Sequence, residues 1–431
     1  MPPLLLGGLW FSCLAAGAPL SPATGDAASP GEGVAGERGG IGRAEPAERA
    51  LDGAPDEGGG PLGLAIPNLQ RPEQPSTPKA RYTLLPVPLV GYDSDNGVSL
   101  GVAGALFYND GVAQPYRDSL IAQALVTTVG VSQDYLKADL LDLFGTGFRL
   151  NGELRYLLEP NASYYGVGNT TKQQPAGASY YQFGRSQPGL RLELRHALGG
   201  DFFWYGGYLL EYASIDIYSH SLLADQRPTG LQGGFSNPVQ TGFVYDTRDF
   251  EPWPRHGQYD DLSVRTAGPL TLSNYDWSGA TAVFRIYEEL FWKVVVAERL
   301  FLDVMVGDVP FFDEDATGGL EEMHGLGGYS TMRGFVKDRF LGDGKLLENL
   351  ELRRLFYGFE PWGQRIDLGA TVFTDVGRVY GDSFVDGPAF LLHWDVGGGL
   401  RAMLNRDLVV RFDVGVSEEG PRVFLLFNNM F

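Results

Sequence analysis

The residues best placed to do chemistry in this chain are charged rather than nucleophilic. Arg333 stands between Met332 and Gly334 in GLGGYSTMRGF, residues 325 to 335. The glycines allow sharp folding of the backbone, and the segment sits in a connection spanning 307 to 344, a length that in a compact domain usually serves function. A guanidinium is permanently charged and presents its donors as a planar fork, so the chemistry on offer is bidentate capture of a carboxylate. The five histidines, at 196, 220, 256, 324 and 393, are scattered without metal-ligand spacing. No Gly-x-Ser-x-Gly elbow or Walker loop occurs. The lone thiol, Cys13, lies near the start of the chain. No catalytic residue, metal or cofactor is therefore expected, and a hydrolase that gathers Ser, His and acid from separate strands stays open as an alternative.

The elements that must position these charges are strands. Leu408, Val410, Phe412, Val414 and Val416 fall on one face of a period-two segment, and Arg411, Asp413 and Gly415 fall on the other. Leu300, Leu302, Val304 and Val306 oppose Asp303 in the same way. Ile366, Leu368, Ala370, Val372 and Val376 oppose Asp367, Thr371, Phe373 and Asp375, while Asn349, Glu351 and Arg353 share the polar face of their own segment. Charges opposite aliphatics suit a closed barrel with lipid outside and a wet or plugged lumen within. A propeller would show a repeat of roughly 40 to 50 residues, and none is visible.

Such segments number about sixteen, near 82–93, 97–108, 118–130, 133–143, 147–158, 179–195, 202–217, 238–249, 257–267, 273–288, 291–306, 345–357, 364–376, 389–403, 407–416 and 421–431. The total is even, as in bacterial single-chain barrels. With both ends on the periplasmic side, the three longest gaps (159–178, 218–237 and 307–344) all fall on the extracellular side, where long loops belong. The gap 109–117 is long for a periplasmic turn. The fold class is thus an all-β transmembrane antiparallel barrel whose longest extracellular loop folds into the lumen.

Composition agrees. Gly is 60 of 431 residues and aromatics reach 13%, which suits strands and tight turns. A mean hydropathy of -0.11 excludes spanning helices but not strands, in which only alternate residues meet lipid. The net charge of -20 excludes a nucleic-acid partner, which would need clustered bases. Residues 1–18 are expected to form a signal peptide around LLLGGLWFSCLAA, although no Lys or Arg precedes Arg38 and the start is uncertain; a lipoprotein reading of Cys13 is poor. Residues 19–80, rich in Ala, Gly, Pro and Glu, are expected to be a disordered periplasmic linker. Residues 81–431 are the barrel.

At this point the chain resembles the BamA/TamA superfamily of outer-membrane assembly and translocation barrels, the bacterial surface antigen family. That family carries Val-Arg-Gly-Phe or Val-Arg-Gly-Tyr in a long loop; here Met332 replaces the Val before Arg333, Gly334 and Phe335. Its second signature, Phe-x-Asp-x-Gly, is matched by Phe373, Asp375 and Gly377. The resemblance implies that Arg333 reaches Asp375 inside the barrel, with Glu351 as a second acid. YDTRDFEPWPRHGQY (245–259) and YYGVGNTT (164–171) resemble family segments, and Phe427 and Phe431, expected on one face of the last strand, resemble the C-terminal signal read by the outer-membrane assembly machinery. The resemblance implies a barrel in the bacterial outer membrane, in contact with its lipid, that assists protein translocation or insertion. It is expected to be monomeric and to work with a POTRA-containing or secreted client protein, because the linker is too short for a receptor domain. A passive channel is the alternative.

Overall fold

The computed structural model describes residues 81–110, 117–171, 177–361, 364–381, 391–405, 408–427 and 429–431. The expected segments at 1–18 and 19–80 lie outside the described residues. Sixteen strands form one antiparallel ring: β1 (Arg81–Asp93), β2 (Gly97–Asn109), β3 (Asp118–Thr127), β4 (Ser132–Leu140), β5 (Phe148–Ser163), β6 (Gln182–Gly199), β7 (Phe202–Asp216), β8 (Val239–Asp246), β9 (His256–Ala267), β10 (Trp277–Glu289), β11 (Val295–Gly307), β12 (Gly344–Phe359), β13 (Ile366–Tyr380), β14 (His393–Leu404), β15 (Leu408–Ser417) and β16 (Gly420–Phe427). Each pairs with its chain neighbours and β1 meets β16 to close the sheet. A two-residue strand, Gly234–Phe235, adds to the outer end of β7.

The period-two pattern explains the two faces of the wall. On β11, Leu300, Leu302, Val304 and Val306 are exposed on the outside while Arg299, Phe301 and Asp303 are buried inside. An apolar exterior is what a hydrocarbon environment requires of a barrel, and a closed ladder leaves few backbone groups without partners there. The inward charges are paired: Arg265 donates twice to Asp303 (2.7 and 3.0 Å), which also faces Lys345 at 3.4 Å. Among the described residues no helix is long and apolar enough to cross a membrane.

Most expected strands fall within a few residues of their observed bounds. Two departures matter. β5 runs on to Ser163 through a register shift between Glu159 and Ala162. β16 stops at Phe427 rather than running to 431. Phe431 is thus not on one strand face with Phe427; it lies buried inside the ring with Met430, Tyr287 and Ala297.

Closure is uneven. Every residue of β1 pairs with β2, from Arg81 with Asn109 to Asp93 with Gly97. Against β16, only Tyr92 and Asp93 pair, with Leu425 and Phe424. Ser94 extends that contact by donating its backbone N–H to Val423 O (3.1 Å). Among the described residues, none below Tyr92 on β1 pairs with β16.

Candidate functional site

Residues 308–343, between β11 and β12, are the expected long loop, and their partners show where it runs. Glu322 pairs with Arg155 of β5 and Arg191 of β6, both at 3.0 Å. Glu321 pairs with Arg285 of β10 and Asp315 with Arg185 of β6. Lys337 Nζ lies 2.5 Å from Glu159 of β5. A single segment can reach inward side chains on walls this far apart in the ring only by crossing its interior, so the loop fills the lumen.

Arg333 stands at the centre of this arrangement and is fully buried. Its Nε and Nη2 donate to Asp375 Oδ2 and Oδ1 at 2.9 and 2.8 Å, and its backbone N–H donates to Oδ2 at 3.1 Å. Nη1 donates to Glu351. The guanidinium carbon sits 3.3 Å from the centroid of the Phe373 ring. One Arg is thus held by a bidentate pair, a second carboxylate and an aromatic face, each of which favours the planar guanidinium over a lysine ammonium. The expected partners Arg333, Asp375, Glu351 and Phe373 are brought together.

The glycines make this approach possible. A Cβ on Gly334 would lie 2.4 Å from Asp395 Cβ and 3.0 Å from Ser417 Cβ. A Cβ on Gly377 would lie 3.0 Å from Met332 Sδ, so that glycine admits the apolar residue preceding Arg333. Phe335 packs in an apolar knot with Leu326, Met332, Phe340, Leu347 and Val379. Phe427 stays on β16 opposite Val410 and Phe431 lies elsewhere in the lumen, so neither joins the Arg333 cluster.

A match to the Omp85 superfamily domain covers residues 143–422, which includes Arg333, Glu351 and Asp375. The chain belongs to the Omp85 superfamily. No curated protein matches it. Among solved structures, BamA from Haemophilus ducreyi lacking POTRA domains 1–3 aligns at 15% identity with a TM-score of 0.51, covering 81% of this chain and 70% of that one. CdiB from Escherichia coli aligns at 15% identity with a TM-score of 0.53, covering 81% of this chain and 63% of that one. These likenesses bear out the barrel fold. Membership places the chain with outer-membrane barrels of protein insertion and secretion.

Sequence reasoning missed several residues of the Omp85 barrel's charge cluster. Asp413 lies 3.7 Å from Arg333 Nη1 and 2.5 Å from Arg401. Arg353 donates to Glu351 at 2.6 Å. Asn349, already on the inward parity, donates to Asp375 Oδ1 (2.8 Å) and to Thr331 O (2.7 Å), tying the acid to the loop backbone. Two glycines clear the space: a Cβ on Gly415 would meet the Arg333 carbonyl at 2.5 Å, and one on Gly397 would meet the Phe373 ring at 2.3 Å. Inward parity was a usable signal for Asp413, Arg353 and the glycines; which cation meets which acid was not, since that depends on distances across the ring.

A second set of contacts caps the loop. The segment 164–171, expected only as a family resemblance, forms a parallel bridge from Val167 to Leu341. Arg339 donates to Thr171 Oγ1 and O at 2.9 and 2.8 Å. Asn169 donates to Leu391 O (2.8 Å) and accepts from the Val379 N–H (3.0 Å), linking this segment to the far wall. His324, half-buried against Tyr329, lines the cavity on the other side of the loop, and desolvation holds its imidazole well below the usual range.

Proposed function

We propose that this protein is an outer-membrane barrel that assists a polypeptide across, or into, the outer membrane, working with a separate receptor or client protein. The observation that carries the reading is the seam. Among the described residues only Tyr92 and Asp93 of β1 are in register with β16, so a few backbone hydrogen bonds, each worth about 1 kcal/mol net, the Arg422–Asp95 ion pair and the packing of Leu89 with Phe424 and Leu426 hold a join that every other strand pair makes along most of its length. A passive channel needs no weak join.

The filled lumen argues the same way. Arg333, Glu322, Glu321 and Lys337 anchor the loop to opposite walls, and a cavity of about 160 Å³ remains beside it, lined by Gln123, Gln133, Glu153 and Glu322 among others. In this reading Arg333, Gly334, Phe335, Phe373, Asp375, Gly377 and Glu351 form the lock that keeps the loop seated while the seam works. The relatives suggest the cargo class: CdiB and BamA share the fold, and the family serves protein insertion and secretion.

Purified barrel in liposomes, challenged with an unfolded outer-membrane polypeptide, tests this. The expected result is a larger protease-protected fraction of the polypeptide than in empty vesicles, with little steady ion conductance. Steady conductance without any gain in protection would establish a passive channel instead. Hydrolysis of an ester or peptide substrate that a single Ser or His substitution abolished would establish the enzyme alternative.

A further inference from the structure

The lumen loop does not fill the barrel evenly. Between its residues 312–324 and the inward faces of β3 to β10 lies the cavity of about 160 Å³, and no member of the Arg333 cluster lines it. Its charged lining is matched within the protein. Arg155 donates to Glu211 at 2.9 Å and to Glu322 at 3.0 Å. Arg265 holds Asp303 at 2.7 Å, and Lys137 lies 3.3 Å from Glu153. Arg185 pairs with Asp315, and Asp313 accepts from the Ser236 hydroxyl.

Glutamines line the same space. Gln187 Nε2 donates to Glu211 Oε1 at 3.2 Å, and Gln240 Nε2 donates to Gly319 O at 2.7 Å. Gln123 of β3 and Gln133 of β4 differ. Both are more than nine-tenths buried, yet Gln123 Oε1, Gln123 Nε2 and Gln133 Oε1 have no hydrogen-bond partner among the described residues. The two are near neighbours on the inner face, since Gln123 stands opposite Tyr135 and Leu125 opposite Gln133. On the loop, His324 Nε2 is likewise buried without a partner. Buried polar groups are almost always satisfied, and leaving one unmade is costly. Held by no protein group, these amides can turn toward the cavity without giving up a bond.

Charge and size narrow what could sit there. Because the lining charges are paired with one another, an ionic ligand would have to break a buried pair to find its own partner. The groups left over are neutral donors and acceptors, and a hydroxyl satisfies both kinds. A cavity of roughly 150 Å³ admits a six-membered ring, and Trp277 and Phe312 supply apolar surface for the C–H face of such a ring. We propose that this cavity binds the pyranose ring of a neutral sugar, with Gln123, Gln133 and His324 as its hydrogen-bonding residues and Trp277 and Phe312 as its apolar walls. A free monosaccharide and the end sugar of a glycan present the same ring, and the cavity reads what they share. The proposal holds whether or not the barrel moves polypeptides, since no residue of the seam or the lock takes part.

Equilibrium dialysis of the full-length protein, held in a detergent without a sugar headgroup, tests it. The probes are radiolabelled glucose, galactose, mannose and N-acetylglucosamine as free sugars, with maltotriose and chitotriose as glycan ends. At least one should bind saturably at a single site per barrel, and neither phosphate nor glutamate should displace it. Binding of a monosaccharide supports the site with a free sugar as its ligand; binding of a trisaccharide alone supports it with a glycan end. Gln123→Leu should weaken the binding by roughly tenfold, the scale of one or two lost hydrogen bonds. That change removes an unpartnered buried amide, so the barrel should still fold, which heat-modifiable mobility checks. His324→Leu, on the loop rather than the wall, should weaken binding by a similar factor and decides the matter if the first variant fails to assemble. The proposal is overturned if none of these sugars binds saturably, if phosphate or glutamate displaces the bound sugar, or if neither substitution weakens binding.

Discussion

At the residue scale, the proposed lock on the loop turns on one guanidinium. Arg333 is enclosed with Asp375 and Glu351 and has no exposure to solvent, so removing it leaves Asp375 buried with only the Asn349 amide on its Oδ1, while Glu351 keeps Arg353. Breaking a buried network in this way costs about 3–5 kcal/mol, chiefly because of the charges left behind. Arg333→Ala should therefore loosen heat-modifiable mobility on gels and raise protease access to residues 308–343. Unchanged mobility and unchanged cleavage would show that Arg333 does not seat the loop. Arg333→Lys should rescue little, since an ammonium cannot span Asp375 in a bidentate fork or lie flat on Phe373. These contacts were partly legible in the sequence. The glycine-flanked Arg, the inward Asp375 and the inward Glu351 stood out by type and parity, with the family resemblance supplying their pairing. Asp413 and Arg401 have the same parity and the same charge types, but nothing in a linear chain tells which of several inward acids a loop residue will meet.

At the scale of elements, the seam and the loop are joined at Asp95, in the turn between β1 and β2. Its carboxylate accepts from Arg422 of β16 at 2.5 Å and from the backbone N–H of Lys337 in the lumen loop at 3.0 Å. Burial nevertheless raises its pKa to about 6, outweighing the pull of Arg422 and of the Lys337 N–H, with Asp93 adding to the rise. The sign follows directly. The closed turn binds the proton more tightly than an open, solvated one, so closure takes up a proton between about pH 4 and 6 and is favoured as pH falls through that window. Raising the pH from 4 to 7 should open the top of the seam, by as much as about a hundredfold in the equilibrium. Cysteine labelling at Ser94→Cys, followed across that range, measures it. Asp95→Asn should abolish the pH dependence, and a seam that became more accessible on acidification would contradict the assignment. Strand positions themselves were legible because lipid outside and charge inside force strict alternation, as in β15. The end of β16 was not legible: Asn429, Met430 and Phe431 continue the alternation well enough, and the contacts of Phe431 with Arg299 of β11 and Arg353 of β12 form only across the lumen.

At the scale of the whole molecule, the fold unites a closed, tightly filled interior with a wall that is weak in one place. Strand parity put the three longest connections on one side, and two of them, around 164–171 and 308–343, turn out to be bonded together over the lumen. That mutual capping arises from loop contacts distant in sequence, and so it could not be read from period or composition. The weak seam likewise depends on a pairing between the two ends of the barrel sequence. On the proposed function, a polypeptide handled by this barrel meets β1 at the membrane wall, below Tyr92. Photo-crosslinking amino acids placed in living cells at Leu84 and Val90 on the free edge of β1, and at Leu302 and Val304 on the fully paired β11 as controls, test that most directly. The expected result is adducts with an exported or outer-membrane polypeptide at Leu84 and Val90 and none at Leu302 or Val304. Equal yields at all four positions, or no adduct at β1, would contradict it.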